Sequence, residues 1–259
     1  MKFFDTHAHY NDERFEEIRY ELIDSLYSNN VIGIVCAGYS VESSVKAIEI
    51  SKKYEQMWST CGISPNDLPE DVESFNKNLL EIERLSENDK VVAIGEIGLD
   101  YYWNKENKEY QRDCFIKQVQ LANKLDLPIV IHSRDAVSDT LDILKKNTVK
   151  QRGIFHCCQL NVELVKEAVK LGFYISLAGP ITFKNSKNAD EVIKLIPLDK
   201  ILIETDSPFL APEPVRGTTN NSGNVQFMAE KIANVKEISL EEISKITTEN
   251  ACRIFRVKV

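Results

Sequence analysis

The sequence predicts an α/β fold in which eight βα units close into one barrel. Two observations carry this reading. Short runs rich in β-branched and aromatic residues alternate with longer segments of helical spacing along the whole chain, which is the pattern of parallel βα units. In addition, all four histidines fall where one of the short runs ends, and two carboxylates occupy matching places.

The runs of strand length are Lys2–Thr6, Val31–Ala37, Met57–Ile63, Val91–Glu96, Ile129–His132, Gly153–His156, Phe173–Leu177 and Ile201–Glu204. Between them the apolar residues change to helical spacing. Asp12–Asn29 carries Phe15, Ile18, Leu22, Ile23 and Leu26; Asn107–Leu125 carries Cys114, Phe115, Val119 and Leu121; Asn161–Leu171 carries Val162, Val165, Ala168 and Val169. Further helices are expected at Glu42–Lys53, Asp71–Leu85, Val137–Lys146, Ala189–Leu195, Val225–Asn234 and Leu240–Phe255. A chain of 259 residues allows one large domain or two small ones. No Pro-, Gly- or Ser-rich linker divides the pattern, so residues 1–259 read as a single domain. An open doubly wound sheet would gather its ligands at one crevice between neighbouring strands. Here the polar residues stand at the ends of the first, fourth, fifth, sixth and eighth runs, and only a closed TIM (β/α)8 barrel brings those ends to one face.

Composition is that of a soluble globular protein, 43% hydrophobic and 28% charged. The opening MKFFDTHAHYNDERFEE has no apolar stretch of signal-peptide length, and no window approaches a membrane span. Six dispersed cysteines without secreted-scaffold spacing suggest reduced thiols and a cytoplasmic protein. A net charge of −8 argues against gripping long duplex DNA through many phosphates. It does not exclude action on a few nucleotides at a chain end, because bound cations would locally reverse the field. No segment calls for an obligate protein partner or a membrane.

His7 and His9 in THAH share one side of a strand and can chelate one cation. Alone such a pair is a weak signal, and its value comes from the other donors at strand ends: Glu96 in GEIGLD, His132 in VIHSRD, His156 in GIFHCC and Asp206 in IETDSPF. Imidazoles and carboxylates are the donors that borderline divalent cations prefer. Glu96, between Gly95 and Gly98, has two oxygens and is assigned as a bridge, with His7, His9 and Asp206 on one side and His132 and His156 on the other. Two divalent cations (Mg, Mn or Zn) about 3.5–4 Å apart can activate a water and neutralise an oxyanion. Asp206 then serves as ligand and general base, and Glu96 as the shared catalytic carboxylate.

Asp5 has the parity of His7 and His9 and is expected beneath them, bracing an imidazole or serving as a buried acceptor. Asp100 is expected to brace the loop that follows it, and Glu204 to orient a ligand or fill a polar barrel layer. Arg134 and Arg216, on loops at the same face, are candidates to hold a substrate phosphate, with a bridge to Asp135 as the alternative for Arg134. Tyr101, Tyr102 and Trp103 can stack a base or cover the barrel mouth. A strand that points His156 inward should turn Cys157 away, so Cys157 and Cys158 read as packing or loop residues rather than zinc ligands.

With these residues in place, the chain resembles the TatD family of metal-dependent deoxyribonucleases, within the wider amidohydrolase-like barrel superfamily. The resemblance runs through DTHAHYND at 5–12, GEIGLDYY at 95–102, LPIVIHSRDA at 127–136 and ETDSPFLAP at 204–212. Arg216, Gly217 and Asn220, followed by TTENACRIF at 247–255, complete it. It implies a TIM barrel, one or two divalent metals and phosphodiester hydrolysis, often from a 3′ end, with DNA ends or another nucleotide-containing substrate as partner. The family's metal ligands fall on His7, His9, Glu96, His132, His156 and Asp206. The chain departs from the family at Ser64, where members usually have His after the third strand, at Cys157-Cys158-Gln159, and in RGTTNNSGN, which lacks the usual acidic residue and proline. These departures bear on the substrate more than on hydrolysis. Two other classes stay open: a metallohydrolase of the same superfamily acting on an amide or (aminoacyl) ester, and a non-catalytic scaffold descended from an enzyme.

Overall fold

Eight parallel strands follow one another around the sheet in chain order. In the computed structural model, which describes residues 1–259, they are β1 (Phe3–Ala8), β2 (Val31–Ala37), β3 (Met57–Cys61), β4 (Val91–Asp100), β5 (Ile129–Arg134), β6 (Gly153–Phe155), β7 (Tyr174–Leu177) and β8 (Ile201–Ile203). The helices are α1 (Arg19–Ser28), α2 (Val41–Ser51), α3 (Val72–Leu85), α4 (Lys108–Leu125), α5 (Val137–Lys146), α6 (Val162–Lys170), α7 (Ala189–Leu195), α8 (Val225–Lys236) and α9 (Leu240–Phe255). Beyond the short β8, the first and last strands meet through a parallel bridge between Ala8 and Ser207. The Asp206 amide donates to the His7 carbonyl (3.0 Å) and the His9 amide to the Ser207 carbonyl (2.6 Å). The expected TIM barrel is the fold of this chain.

One apolar side chain from each strand fills the bottom of the barrel: Phe4, Val35, Trp58, Val92, Val130, Ile154, Tyr174 and Leu202. Ala251, Ile254 and Phe255 of α9 close this layer from below. Truncating a ring such as Phe4 there would cost roughly 3–5 kcal/mol. Side chains alternate with a period of two, so the residues two positions further along stand one layer higher. That layer includes polar side chains from β1, β7 and the end of β8. Thr6 shares a hydrogen bond with Ser176 (2.9 Å) and donates to the Ile203 carbonyl (3.0 Å), and Glu204 is fully buried beside His156. In β5 and at the end of β6 the histidines stand two residues beyond the bottom layer, Val130 to His132 and Ile154 to His156.

The structure corrects several expectations in detail. The segment expected as one helix over 12–29 is a single 3-10 turn (Glu13–Phe15) followed by α1. The buried Arg19 guanidinium donates to the carbonyls of Tyr10 and Asp12 and thereby holds the chain bent between the two. β4 runs on to Asp100 because Gly98, at φ +140°, lets β5 approach: a Cβ there would lie 2.0 Å from the His132 carbonyl oxygen. No helix is long and apolar enough to cross a membrane.

Asp5 does not brace an imidazole. The pairing of β1 with β2 shifts register between Asp5 and Ala8, so parity no longer carries from Asp5 to the histidines. Its carboxyl accepts instead from the His7 amide (3.3 Å), the Thr205 amide (3.0 Å) and the Thr205 hydroxyl (2.5 Å), which fastens β1 to the segment after β8. Burial raises its pKa to about 7, against hydrogen bonding from Ser222 and Thr205. The folded state therefore favours the proton. The stability it contributes is complete below the ordinary carboxylate range and is lost as pH rises through about 7. In chelated protein, Asp5→Asn should gain on the wild type as pH rises from 4 to 8, by up to about 4 kcal/mol. Urea unfolding across that range measures this, and a pH-independent difference would contradict it.

Candidate metal centre

The four imidazoles converge on Glu96 at the C-terminal mouth of the barrel. They arrive from β1, from the ends of β5 and β6, and from the turn after β1, while Asp206 follows β8. Glu96 divides its oxygens between them. Oε2 lies 3.4 Å from His7 Nε2 and 3.8 Å from His9 Nε2, and Oε1 lies 3.0 Å from His132 Nδ1 and 3.3 Å from His156 Nε2. Asp206 Oδ1 is 3.3 Å from His9 Nε2 and 3.7 Å from His7 Nε2. The six expected residues are therefore brought together around Glu96, although His156 lies within reach of His7 and Asp206 as well as of His132. Three overlapping triads, His7/His9/Glu96, His7/His156/Asp206 and Glu96/His132/His156, have donor atoms close enough to share a cation.

The donor set fits a divalent ion. Two nitrogens bound tetrahedrally to one zinc-like ion lie about 3.4 Å apart. Here His7 Nε2 and His9 Nε2 are separated by 3.1 Å, and His132 Nδ1 and His156 Nε2 by 3.3 Å. Two of the far nitrogens have protein acceptors, His9 Nδ1 at the Ala37 carbonyl (3.2 Å) and His132 Nε2 at Asp100 (2.9 Å); His156 Nδ1 lies 3.4 Å from Glu204 without a hydrogen bond, and His7 Nδ1 has no partner. The lone pairs of His9 and His132 are thereby turned inward at Glu96, an arrangement that only positive charge makes favourable.

Without a cation, the surrounding carboxylates favour protons on three of these imidazoles. Burial alone would raise the Glu96 carboxyl, but His156 and hydrogen bonds from the imidazoles outweigh it and hold the group well below the carboxylate range. Asp206 is lowered likewise, burial being overcome by His9. Burial opposes protonation of His156, His132 and His9, yet Glu96 with Glu204, Asp100 with Glu96, and Asp206, respectively, raise them. His7 is lowered, by burial and by His156, whose ring stacks on it at 4.0 Å. A cation entering among these donors would have to displace such protons.

Two residues have roles the sequence did not reveal, Asp100 and Cys157, while Glu204 lies beside a candidate ligand as expected. Asp100 braces the next loop as expected, accepting from the Tyr102 and Trp103 amides (2.9 and 3.0 Å), but it also binds His132. Glu204 accepts from the Cys157 amide (2.6 Å) and flanks His156. Cys157 is not turned away. The strand ends at Phe155, alternation lapses, and a left-handed φ of 37° lets Cys157 line the cavity above the donors.

That cavity, of about 650 Å³, has Glu96, His132 and Asp206 at its floor and Trp103, Arg134 and Phe209 among its walls. Arg134 makes no ion pair with Asp135. Its guanidinium carbon lies 3.9 Å from the Tyr102 ring centre and 5.6 Å from that of Trp103. Arg216 does not reach the cavity: it is exposed and stacks on Phe183 at 3.8 Å. Asn220 is buried, donating to the Thr205 and Phe209 carbonyls, and shapes the loop that presents Phe209. At the position of the missing histidine, Ser64 donates to Asp67 (2.9 Å), while Asn66 reaches the cavity and donates to Asp100 (3.2 Å).

A (β/α)8 barrel with this donor cluster at its C-terminal face defines a metal-dependent hydrolase. The chain belongs to the family of TatD-related DNases, whose model matches residues 4–256. It is 43% identical to the metal-dependent hydrolase YabD of Bacillus subtilis over 98% of this chain and 99% of the relative. It is 34% identical to the metal-dependent hydrolase YcfH of Escherichia coli over 99% and 97%. The crystal structure of YJJV, a TatD homologue from Escherichia coli, shares the fold with a TM-score of 0.92 at 24% identity, covering 99% of this chain and 98% of that one.

If the donors hold a cation in the folded state only, saturating Mn²⁺ or Zn²⁺ at 100 times Kd should stabilise chelated protein by roughly 2.7 kcal/mol. Thermal unfolding should then shift upward by about 5–10 °C, and Glu96→Ala should lose most of the shift. An unchanged midpoint in the wild type would count against a cation at this site.

Proposed function

We propose that the protein is a divalent-metal-dependent phosphodiesterase that removes nucleotides from DNA ends, in the manner of a 3′–5′ exonuclease. The observation that carries this reading is one buried carboxylate, Glu96, shared by four imidazoles beneath a cavity. In that cavity Arg134 is free of any carboxylate partner and stacks on aromatic rings. Two divalent cations, held by Glu96 with the four histidines and Asp206, would supply Lewis acidity and a water of lowered pKa. Four imidazoles suit zinc-like ions, whereas nuclease chemistry commonly uses Mg or Mn.

The chain's own residues then divide the work. His7, His9 and Asp206 hold one side, and His132 and His156 the other. Asp206 contacts the histidines through Oδ1 and lines the cavity, so it is placed to take the proton of the attacking water. Arg134 meets the phosphate with its planar fork, and Trp103, 69% exposed at the cavity edge, offers its face to the adjoining base. Arg216 on the outer loop would meet a strand running beyond the cavity. The free state of all six cysteines supports a cytoplasmic setting.

A second reading, hydrolysis of an amide or (aminoacyl) ester, is favoured by one feature. The wall formed by Leu160, Ala178, Pro180, Ile181 and Leu210 is apolar and could receive an acyl group. Turnover of such esters or amides far above that of a 3′-labelled single strand would reverse the ranking.

Asp206→Asn should lower kcat on a labelled oligodeoxynucleotide by about 10²–10⁴-fold, and chelation should abolish turnover until a divalent ion is returned. A correctly folded Asp206→Asn protein with full nuclease activity would refute the assignment. Trp103→Ala should raise KM for the same substrate roughly tenfold, in line with about 1–3 kcal/mol per stacked base, with little change in kcat. An unchanged KM would remove Trp103 from substrate binding.

A further inference from the structure

Only the unprotonated nitrogen of a neutral imidazole can hold a cation. His7, His9 and His156 turn Nε2 toward Glu96, whereas His132 alone turns Nδ1, at 3.0 Å. The reason lies behind its ring. His132 Nε2 is 2.9 Å from Asp100 Oδ2, and a carboxylate can only accept, so the ring proton belongs on Nε2 and the lone pair on Nδ1. Asp100 is fully buried. Its other oxygen, Oδ1, takes the amides of Tyr102 and Trp103, and Asn66 donates to Oδ2 at 3.2 Å. Buried Gln111 fixes the backbone of Asp100 from both sides, accepting from its amide (2.8 Å) and donating to its carbonyl (3.0 Å). One carboxylate thus joins a histidine of the second donor group to the loop that carries Trp103 and the Arg134 stack.

We infer that Asp100 is a positioning residue that sets His132 as an Nδ1 ligand and ties occupation of the second cation position to the Tyr102–Trp103 loop. This rests on the two-cation reading proposed above. Asp100→Asn separates the role from mere loop support. The amide oxygen can still accept from Tyr102 and Trp103, but an NH₂ now faces His132 Nε2, which moves the ring proton to Nδ1, where the cation should bind.

The test titrates chelated wild-type and Asp100→Asn proteins with Zn²⁺ against a chromophoric chelator, with circular dichroism to verify the fold and Trp103→Phe as the fluorescence control. In the wild type, two ions should bind, and filling of the second should change Trp103 emission. In Asp100→Asn the second ion should bind 10–100-fold more weakly, the first within about threefold, and the emission change should shift to the higher zinc concentration. In ¹⁵N-histidine-labelled, zinc-loaded wild type, His132 should carry its proton on Nε2. Asp100→Ala, should it fold, must lose the second ion at least as severely. Both ions binding the Asn variant with wild-type affinity, or zinc on Nε2 of His132, would overturn the inference. A single wild-type ion that Asp100→Asn weakens at least tenfold would sink the two-cation reading and keep the positioning role. A single ion that is unaffected would sink both.

Discussion

A carboxylate buried among four imidazoles is a costly thing to fold around, and much of the upper barrel is arranged to tolerate Glu96. Its charge has no lysine or arginine beside it; its neighbours are His7, His9, His132 and His156, each close enough to share a proton or a cation with it. Without positive charge such a group would be several kcal/mol out of place. With it, the same low dielectric strengthens every contact. The six donors therefore form one electrostatic unit, and the effect of losing any one of them will not be additive with the others.

That unit depends on closure. β1 and the segment after β8 contribute three donors, His7, His9 and Asp206, and they meet through few backbone bonds: the Ala8–Ser207 bridge and the amide–carbonyl pairs around it. Asp5 and Thr205 hold the seam from beneath. Asp206 itself sits at φ +54°, a left-handed conformation that costs on the order of 1 kcal/mol for a side-chain-bearing residue. The chain accepts that cost where it turns from the seam toward the cavity.

The cavity above the donors is shaped by the loops at the mouth of the barrel. The walls combine Arg134 stacked on Tyr102 and Trp103, an apolar side around Ile181 and Leu210, and Phe209, over which Arg14 lies at 4.6 Å. In the loop after β3, Ser64 is engaged with Asp67, and Asn66 is the polar residue facing the cavity. The position thus has a hydrogen-bond donor and acceptor but no group that can titrate near neutrality.

By itself the sequence determined the barrel, its element order and the convergence of six imidazoles and carboxylates, because each rests on local regularities: strand and helix periods, and polar residues standing at strand ends. Strand order around a barrel dictates which of those ends are neighbours, but His156 also reaches across to His7 and Asp206. Tertiary structure alone decided how the side chains turn. A register shift in β1 moved Asp5 away from the histidines, and the early end of β6 brought Cys157 to the cavity. Arg216 went to Phe183 and Arg134 to Tyr102 because long side chains follow whatever surface the folded loops provide. Asp100 shows the division most plainly. Its bracing of the loop follows from sequence neighbours two and three residues away, but its hold on His132 spans two strands that meet only in the barrel. Period and order are written locally; orientation depends on contacts that the chain makes only once it has folded.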